Sequence, residues 1–363
     1  MSLDKKITEL DAVTSMNDDD LFAIVSNPTT TPVTNKITKK DAFNITTLTS
    51  VAIQAAIDAA ETAGGGIVQL GVGTFITTAV INLASNVILQ GSGIGATIIK
   101  QGASLNNDVI LADTITNFMV RGLSIDGNKA NNATGDSGIA IYDSNNWTIE
   151  NVESYGNKLK GFVCVVVAAN CEDGTFINCE AHDNDQDGFT WASGLTADGF
   201  VCRRVGCINC NSHDNTLYGV GIVTPAATYS RAEDTFVVNC RIVDNGTYGI
   251  EIFGAKAPII QGNIISDNGM HGVDLGSATN AAYKVINAIV SGNICRNSRS
   301  GYSGIRVQSS DYHLIYGNVC YDDQGSPTQA YGISGSDGTG GKIYGNTYWG
   351  NATSSTDTVT ILL

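Results

Sequence analysis

Asn215-Thr-Leu-Tyr-Gly219-Val and Asn245-Gly-Thr-Tyr-Gly249-Ile carry the phrase that decides the fold. It recurs as Asn157…Gly161-Phe162, Asn184…Gly188-Phe189 and Asn268…Gly272-Val273, five copies spaced 23 to 31 residues apart. In each copy glycine follows asparagine by four positions and an apolar residue follows the glycine. Looser copies run through Asn297…Gly304-Ile305 and Asp323…Gly332-Ile333. Self-similarity at this period marks a solenoid, whose repeats bury their apolar faces on one another.

After each glycine apolar residues alternate with others, as in Phe162/Cys164, Phe189/Trp191, Val220/Ile222, Ile250/Ile252, Val273/Leu275 and Ile305/Val307. Period two is the mark of a strand with one buried face. Asn, Asp and Gly separate the strands and tolerate the left-handed backbone of tight corners. Short strands, abrupt corners and one repeat per turn predict an all-β chain, a single-stranded right-handed parallel β-helix. Phe162, Phe189, Val220, Ile250, Val273 and Ile305 should then stack as one buried column. A helical bundle is excluded by the absence of a 3.6-residue period, and each repeat is too short for a four-stranded propeller blade.

Composition narrows the partners. The 363 residues carry a net charge of −15, which argues against nucleic acid and anionic membranes. An anionic sugar polymer stays open, because a cationic groove can sit on an acidic protein. The start lacks the apolar core of a secretory signal, and the longest apolar run, Gly161 to Ala169, is too short to span a bilayer. A soluble protein is expected, on a virion or extracellular, and otherwise cytoplasmic. Of the nine cysteines, Cys179, Cys210 and Cys240 each follow a repeat asparagine and should stack inside the coil. Cys207 and Cys210 have metal-ligand spacing without an evident second pair, so core packing is the favoured reading.

Residues 1–46 lack the repeat. Their phrases "NDDDLFAIVS" and "NKITKKDAF" resemble the N-terminal adaptor of phage tail fibres and tailspikes, which implies attachment to a virion through this segment. The β-helix is placed at 47–363. Its first stretch, "TLTSVAIQAAIDAAETA", predicts a capping helix with Ser50 as N-cap and Val51, Ile53, Ile57 and Ala60 on its apolar face. The three glycines at 64–66 end it. Such a helix would cover the open strand edges of the first coil.

"IQAAIDAAETAGGGIVQL", "NVILQGSGIGATIIK", "LSIDGNKANNATG", "WTIENVESYGN" and "CEAHDNDQDGF" occur in one order. They resemble the pectate-lyase-like β-helix family, and within it the catalytic modules of mannuronan C5-epimerases. The resemblance runs from about Ser50 to Gly276 and implies chemistry at C5 of a uronate polymer. That family places a tyrosine before a repeat glycine, an Asp-Pro-His phrase after it and an aspartate on the next coil. Here Lys160, then Val163, Cys164 and Val165, then Ala192 stand at those places.

Residues one before and two after each glycine are expected to face outward. The first column reads Lys160, Asp187, Tyr218, Tyr248, His271, and the second Val163, Thr190, Gly221, Glu251, Asp274, Arg306. Tyr218, Tyr248, His271, Glu251 and Asp274 are the candidate catalytic residues, with Lys160, Asp187 and Arg306 as substrate ligands. A lyase or epimerase would use Tyr or His as acid and base and Arg306 or Lys160 to neutralise the sugar carboxylate. A hydrolase would pair Glu251 with Asp274. A receptor-binding tail protein would use the tyrosines only as stacking platforms. No cofactor is required by any of these. The corner loop holding Asp126, Asn128, Asn131 and Asp136 offers oxygen ligands for calcium but lacks a closing glutamate. His182 and His213, each followed by Asp-Asn, read as a structural ladder at a corner. The tailspike resemblance implies a homotrimer, with the apolar tail at 358–363 as a cap or joining surface.

Overall fold

The structure, a computed structural model, describes residues 47–135, 137–192, 200–223, 232–276, 284–335 and 338–353, with Ile45 and the strands Leu21–Ser26 and Val33–Thr38. The chain divides into two compact units, Met1–Ile45 and Thr46–Leu363. In the first, Leu21–Ser26 and Val33–Thr38 pair as an antiparallel hairpin. The rest of the adaptor segment, Asp136 and the apolar tail lie outside the described residues.

The second unit is a parallel β-helix. Ten strands, from Ile81–Asn82 to Tyr331–Gly335, lie side by side in one parallel sheet, one strand per coil. Phe162, Phe189, Val220, Ile250, Val273 and Ile305 are in register across successive strands. None is more than 1% exposed, and the Phe162 and Phe189 rings stack at 4.8 Å.

The asparagine of the repeat phrase is buried, so its amide needs partners. It finds them on the neighbouring coil: Nδ2 of Asn157, Asn184, Asn215 and Asn245 donates to Oδ1 of Asn184, Asn215, Asn245 and Asn268, at 2.8 to 3.0 Å. The glycine is required by close approach. A Cβ on Gly219 would lie 2.3 Å from Cγ2 of Ile242, and one on Gly249 would lie 2.6 Å from the Gly272 carbonyl oxygen. Asp183, Asp214 and Asp244 turn the preceding corners with φ between 53° and 57°. That left-handed backbone is what asparagine and aspartate tolerate best after glycine.

Cys179, Cys210 and Cys240 form the expected interior column, each no more than 2% exposed. Asparagines take that column over when the Cys240 N–H donates to Asn263 Oδ1 at 2.8 Å. Asn263, Asn293, Asn318 and Asn346 then continue as a second amide ladder at 2.9 Å per step. The capping helix spans Ser50–Thr62 and packs on the strands Gly66–Gln69, Ile81–Asn82 and Val87–Gln90. Its N-cap is Thr49 rather than Ser50, because the Thr49 hydroxyl accepts the Ala52 N–H at 3.3 Å. Val51 departs from the expectation as well: Ile53 and Ile57 are buried, while Val51 is 67% exposed.

At the other corner His182 and His213 stack at 5.0 Å with 1° between their rings. Each bonds its following aspartate at 2.7 Å, so these histidines are tied into a structural ladder. In the 126–136 loop Asp126 is paired with Lys100 at 2.5 Å and accepts the Asn128 N–H. The loop closes on itself through Asn131 Nδ2 to Asn128 Oδ1 at 2.8 Å.

Candidate functional site

From Gly138 onward each coil of the ten-stranded sheet begins at a glycine, so the residue before it and the second after it recur at fixed places. Gly221, Glu251, Asp274 and Arg306 are in register on four successive strands. Tyr218, Tyr248 and His271 stand just upstream of the same strands. Ring centroids are 5.8 Å apart for Tyr218–Tyr248 and 5.9 Å for Tyr248–His271, whose planes lie within 16°. Gly221 leaves room for the first of these rings, since a Cβ there would meet Tyr218 Cδ2 at 3.1 Å.

The second column does point away from the coil interior, as alternation requires, yet it is not solvent-facing as expected. Glu251 is 1% exposed, Asp274 0% and His271 5%. Asp274 meets that burial by pairing with Arg306: Nε donates to Oδ1 at 2.7 Å and the guanidinium closes a second bond to Oδ2. Burial raises the Asp274 carboxyl while Arg306 draws it back. The Arg306 guanidinium also lies 5.9 Å from the Tyr248 ring centroid, within reach of a cation–π attraction.

Glu251 has no ion-pair partner. Its carboxyl oxygens accept no hydrogen bond among the described residues, and the proton of the neutral acid is directed at the Asp274 carboxylate. Burial, with the neighbouring Asp274 charge, pushes it up to about 9, so it is a neutral acid at pH 7. Burial and the Glu251 charge also push Tyr248 up to about 12 and raise Tyr218 further. His271 is held neutral: burial and then Arg306 push it down to about 3. Its Nδ1 accepts the Ser303 N–H at 2.9 Å, which leaves the ring proton on Nε2. His271 is thus a hydrogen-bond donor in the groove and a poor base.

Lys160 and Asp187 lie on earlier coils and hold each other rather than standing free. Lys160 Nζ is 3.6 Å from the Asp187 carboxylate and 3.0 Å from Gln186 Oε1. Asp187, 4% exposed, accepts from the Thr190 hydroxyl at 2.7 Å and from the Tyr218 N–H at 3.2 Å. These contacts tie Asp187 to the Tyr218 backbone. The two-carboxylate arrangement is also weakened, because both oxygens of Asp274 are already held by Arg306.

Sequence reasoning missed Tyr302. Its ring meets His271 edge-on at 5.0 Å and extends the aromatic ladder by one coil. The extra residues in "SRSGYSG" shift it off the regular count, so the ladder's period conceals it. Among the described residues, one group of three side chains has metal-ligand proximity: the Sγ atoms of Cys207, Cys210 and Cys240 lie within 4.8 Å of one another. All three are buried, and Cys210 and Cys240 direct their thiols at the carbonyl oxygens of Ile208 and Val238, as packed thiols do. No helix among the described residues is long and apolar enough to cross a membrane.

Residues 196–360 match the family described as NosD, a periplasmic copper-binding protein. The chain is 27% identical to the mannuronan C5-epimerase AlgE5 of Azotobacter vinelandii over 256 residues, which cover 63% of this chain and 24% of that protein. It is 34% identical to AlgE6 of the same organism over 187 residues, 38% of this chain and 20% of that one. The chain thus spans about a quarter or less of the relatives it matches. Among solved structures, the A-module of A. vinelandii mannuronan C-5 epimerase AlgE4 superposes with a TM-score of 0.65 at 21% identity, over 86% of this chain and 95% of that one. The surface adhesin PfbA of Streptococcus pneumoniae gives 0.61 at 16% identity, over 86% and 89%. Tailspike protein 2 of the Escherichia coli O157:H7 bacteriophage CAB120 gives 0.58 at 14% identity, over 81% and 40%. These likenesses establish the fold: the chain is a parallel β-helix protein, with mannuronan C5-epimerases among its sequence relatives.

Proposed function

We propose that the protein modifies an acidic polysaccharide by proton exchange at C5 of a uronate residue, in the manner of an epimerase or a lyase. The observation that carries this reading is Tyr248. Its half-buried ring lies 5.9 Å from the neutral His271 ring and 5.9 Å from the Arg306 guanidinium. A sugar ring stacked on the ladder would bring its C5 proton to the Tyr248 oxygen, which accepts it as phenolate; burial pushes that phenol up to about 12 and the Arg306 charge draws it part of the way back. Arg306, part-exposed beside the Tyr248 ring, is the charge that would neutralise the sugar carboxylate, and that neutralisation acidifies the C5 proton. Delivery of a proton from a water or acid on the opposite face to C5 completes an epimerisation; breaking the C4–O bond, with a C4=C5 double bond formed and a proton taken up by the leaving glycosidic oxygen, completes an elimination. The relatives named as mannuronan C5-epimerases support alginate as the first polymer to try.

Tyr248→Phe keeps the stacking surface and removes the hydroxyl, so turnover should fall about 100-fold or more with binding spared. Incubation with a panel of uronans separates the outcomes. A lyase raises absorbance in the unsaturated-uronate band, and an epimerase alters only the proton NMR of the polymer. Full activity in Tyr248→Phe would move the site off these coils.

A second reading is glycan binding without turnover, as in a receptor-binding tail protein; the closed Asp274–Arg306 pair and the raised tyrosines favour it. In either reading residues 1–46 serve as a virion attachment segment and the chain works as a homotrimer. Light scattering that returns a monomer at micromolar concentration counts against that assembly.

A further inference from the structure

Two residues upstream of Tyr218, Tyr248 and His271, on the same coils, a column of surface residues is interrupted. The N–H groups of Asp185, Thr216, Gly246, Gly269 and Arg299 each donate to the carbonyl of the preceding coil's corner residue, Asn157, Asn184, Asn215, Asn245 and Asn268 respectively. They therefore occupy one column. Asp185 and Thr216 carry side chains there, Gly246 and Gly269 carry none, and Arg299 resumes the column. Two empty places at about 4.8 Å per coil leave a gap of about 10 Å along the surface. The gap is real in three dimensions: a cavity of about 390 Å³ is lined by Gly246, Gly269, Asp267, Arg299 and, from the next coil, Gln324 and Thr328. The glycines are not there for flexibility. A Cβ on Gly246 would strike the Thr216 carbonyl oxygen at 2.1 Å, and one on Gly269 the Gly246 oxygen at 2.0 Å.

Arg299 stands apart from the cations near it. Lys158 is paired with Asp185 at 2.7 Å, Arg296 with Asp323 at 3.1 Å, and Arg306 with Asp274. Arg299 is exposed, and its guanidinium makes no hydrogen bond or ion pair among the described residues. The cavity thus offers one free bidentate donor and the amide of Gln324, while the Thr328 hydroxyl, whose proton goes to the Ser298 carbonyl at 2.9 Å, and Asp267 are acceptors. A planar guanidinium beside a few convergent hydroxyl-binding groups suits a polyhydroxylated ligand bearing a carboxylate. Tyr302 joins this cavity to the ladder, since its N–H donates to the Arg299 carbonyl at 3.0 Å.

We propose that this gap is a glycan subsite that takes an acidic sugar residue through Arg299, beside the one stacked on Tyr248 and His271. The subsite rests on the polysaccharide reading, and it makes Arg299 the residue that selects charged over neutral polymer. Calorimetric titration with oligomers of mannuronate and of galacturonate, each against its carboxyl-reduced counterpart, tests it. The wild type should bind at least one acidic oligomer about 10-fold tighter than its reduced form, and Arg299→Gln should lose that preference. Arg299→Lys should keep part of it. Arg299 is exposed, so both variants should melt like the parent. A preference unchanged in Arg299→Gln, or a wild type that shows none, overturns the subsite. The two readings fail separately. Turnover lost in Tyr248→Phe with the preference intact in Arg299→Gln removes only the subsite. A preference that depends on Arg299 in a protein with no turnover on any uronan removes only the modifying activity.

Discussion

One column on the outer face of the ten-stranded sheet changes character halfway along. In register it runs Leu111, Ala140, Val163, Thr190, Gly221, Glu251, Asp274, Arg306 and Ser334. On the early coils Ala140, Val163 and Val165 form an apolar cluster, with Leu111, Tyr142 and Val167 packed against it. On the later coils the same positions hold a buried acid and an ion pair, beside the aromatic ladder of the neighbouring column. The backbone is equivalent in the two halves, so the fold does not dictate where chemistry sits. Val163 and Cys164, where the epimerase resemblance implies a catalytic phrase, belong to the apolar half. The charged half lies about three coils further along.

Predictions that break or sharpen this contrast begin with what the halves share. Ile250→Asp puts an unpaired charge into the interior column and should cost more than about 4 kcal/mol, seen as a collapse of the melting transition. A variant that melts like the parent would mean the coil register is wrong. Asp274→Asn leaves Arg306 without its partner against the sheet and should cost about 3 kcal/mol, with turnover falling as the guanidinium loses its orientation.

Glu251→Gln reads the charged half through pH. The Glu251 carboxyl lies at about 9 in the fold against 4.5 ordinarily, so the folded state retains a proton the unfolded chain releases. Stability from this group is full below about pH 4.5 and is lost as pH rises toward about 9. Glutamine cannot ionise, so the variant should melt several degrees above the parent at about pH 8.5, with the gap closing near pH 4.5. Equal melting temperatures at both ends would mean Glu251 is charged and paired. The smallest effect belongs to the apolar half. Val163→Thr gives this coil the residue that Thr190 supplies on the next, and should cost about 1 kcal/mol with no change in turnover. A loss of turnover there would return the site to the early coils.

Much of this was legible in the residues. The four-residue interval from asparagine to glycine marked each coil, and the alternation after it named the interior column from Phe162 to Ile305. Counting from the same glycines brought Tyr218, Tyr248, His271, Glu251, Asp274 and Arg306 into one patch. Counting failed at Tyr302, where an insertion breaks the period, and at Thr49 and Val51, where cap geometry and helix rotation depend on contacts with the first coil. Nor could it show that the Asp187 oxygens bond Thr190 and the Tyr218 backbone.

What the sequence determined by itself is the coil: its period, its corners and which side chains stack, because these follow from spacing and from the local preferences of Asn, Gly and alternating apolar residues. What only the tertiary structure decided is the chemical state of the stacked groups. Glu251 and Asp274 are both acids at the same place in the repeat, yet one is neutral and without an ion pair and the other is ionically paired. That difference is made by Arg306, 32 residues beyond Asp274. Burial and the position of the nearest opposite charge set the protonation of a carboxyl, and both are properties of neighbours that come together only when the coils stack.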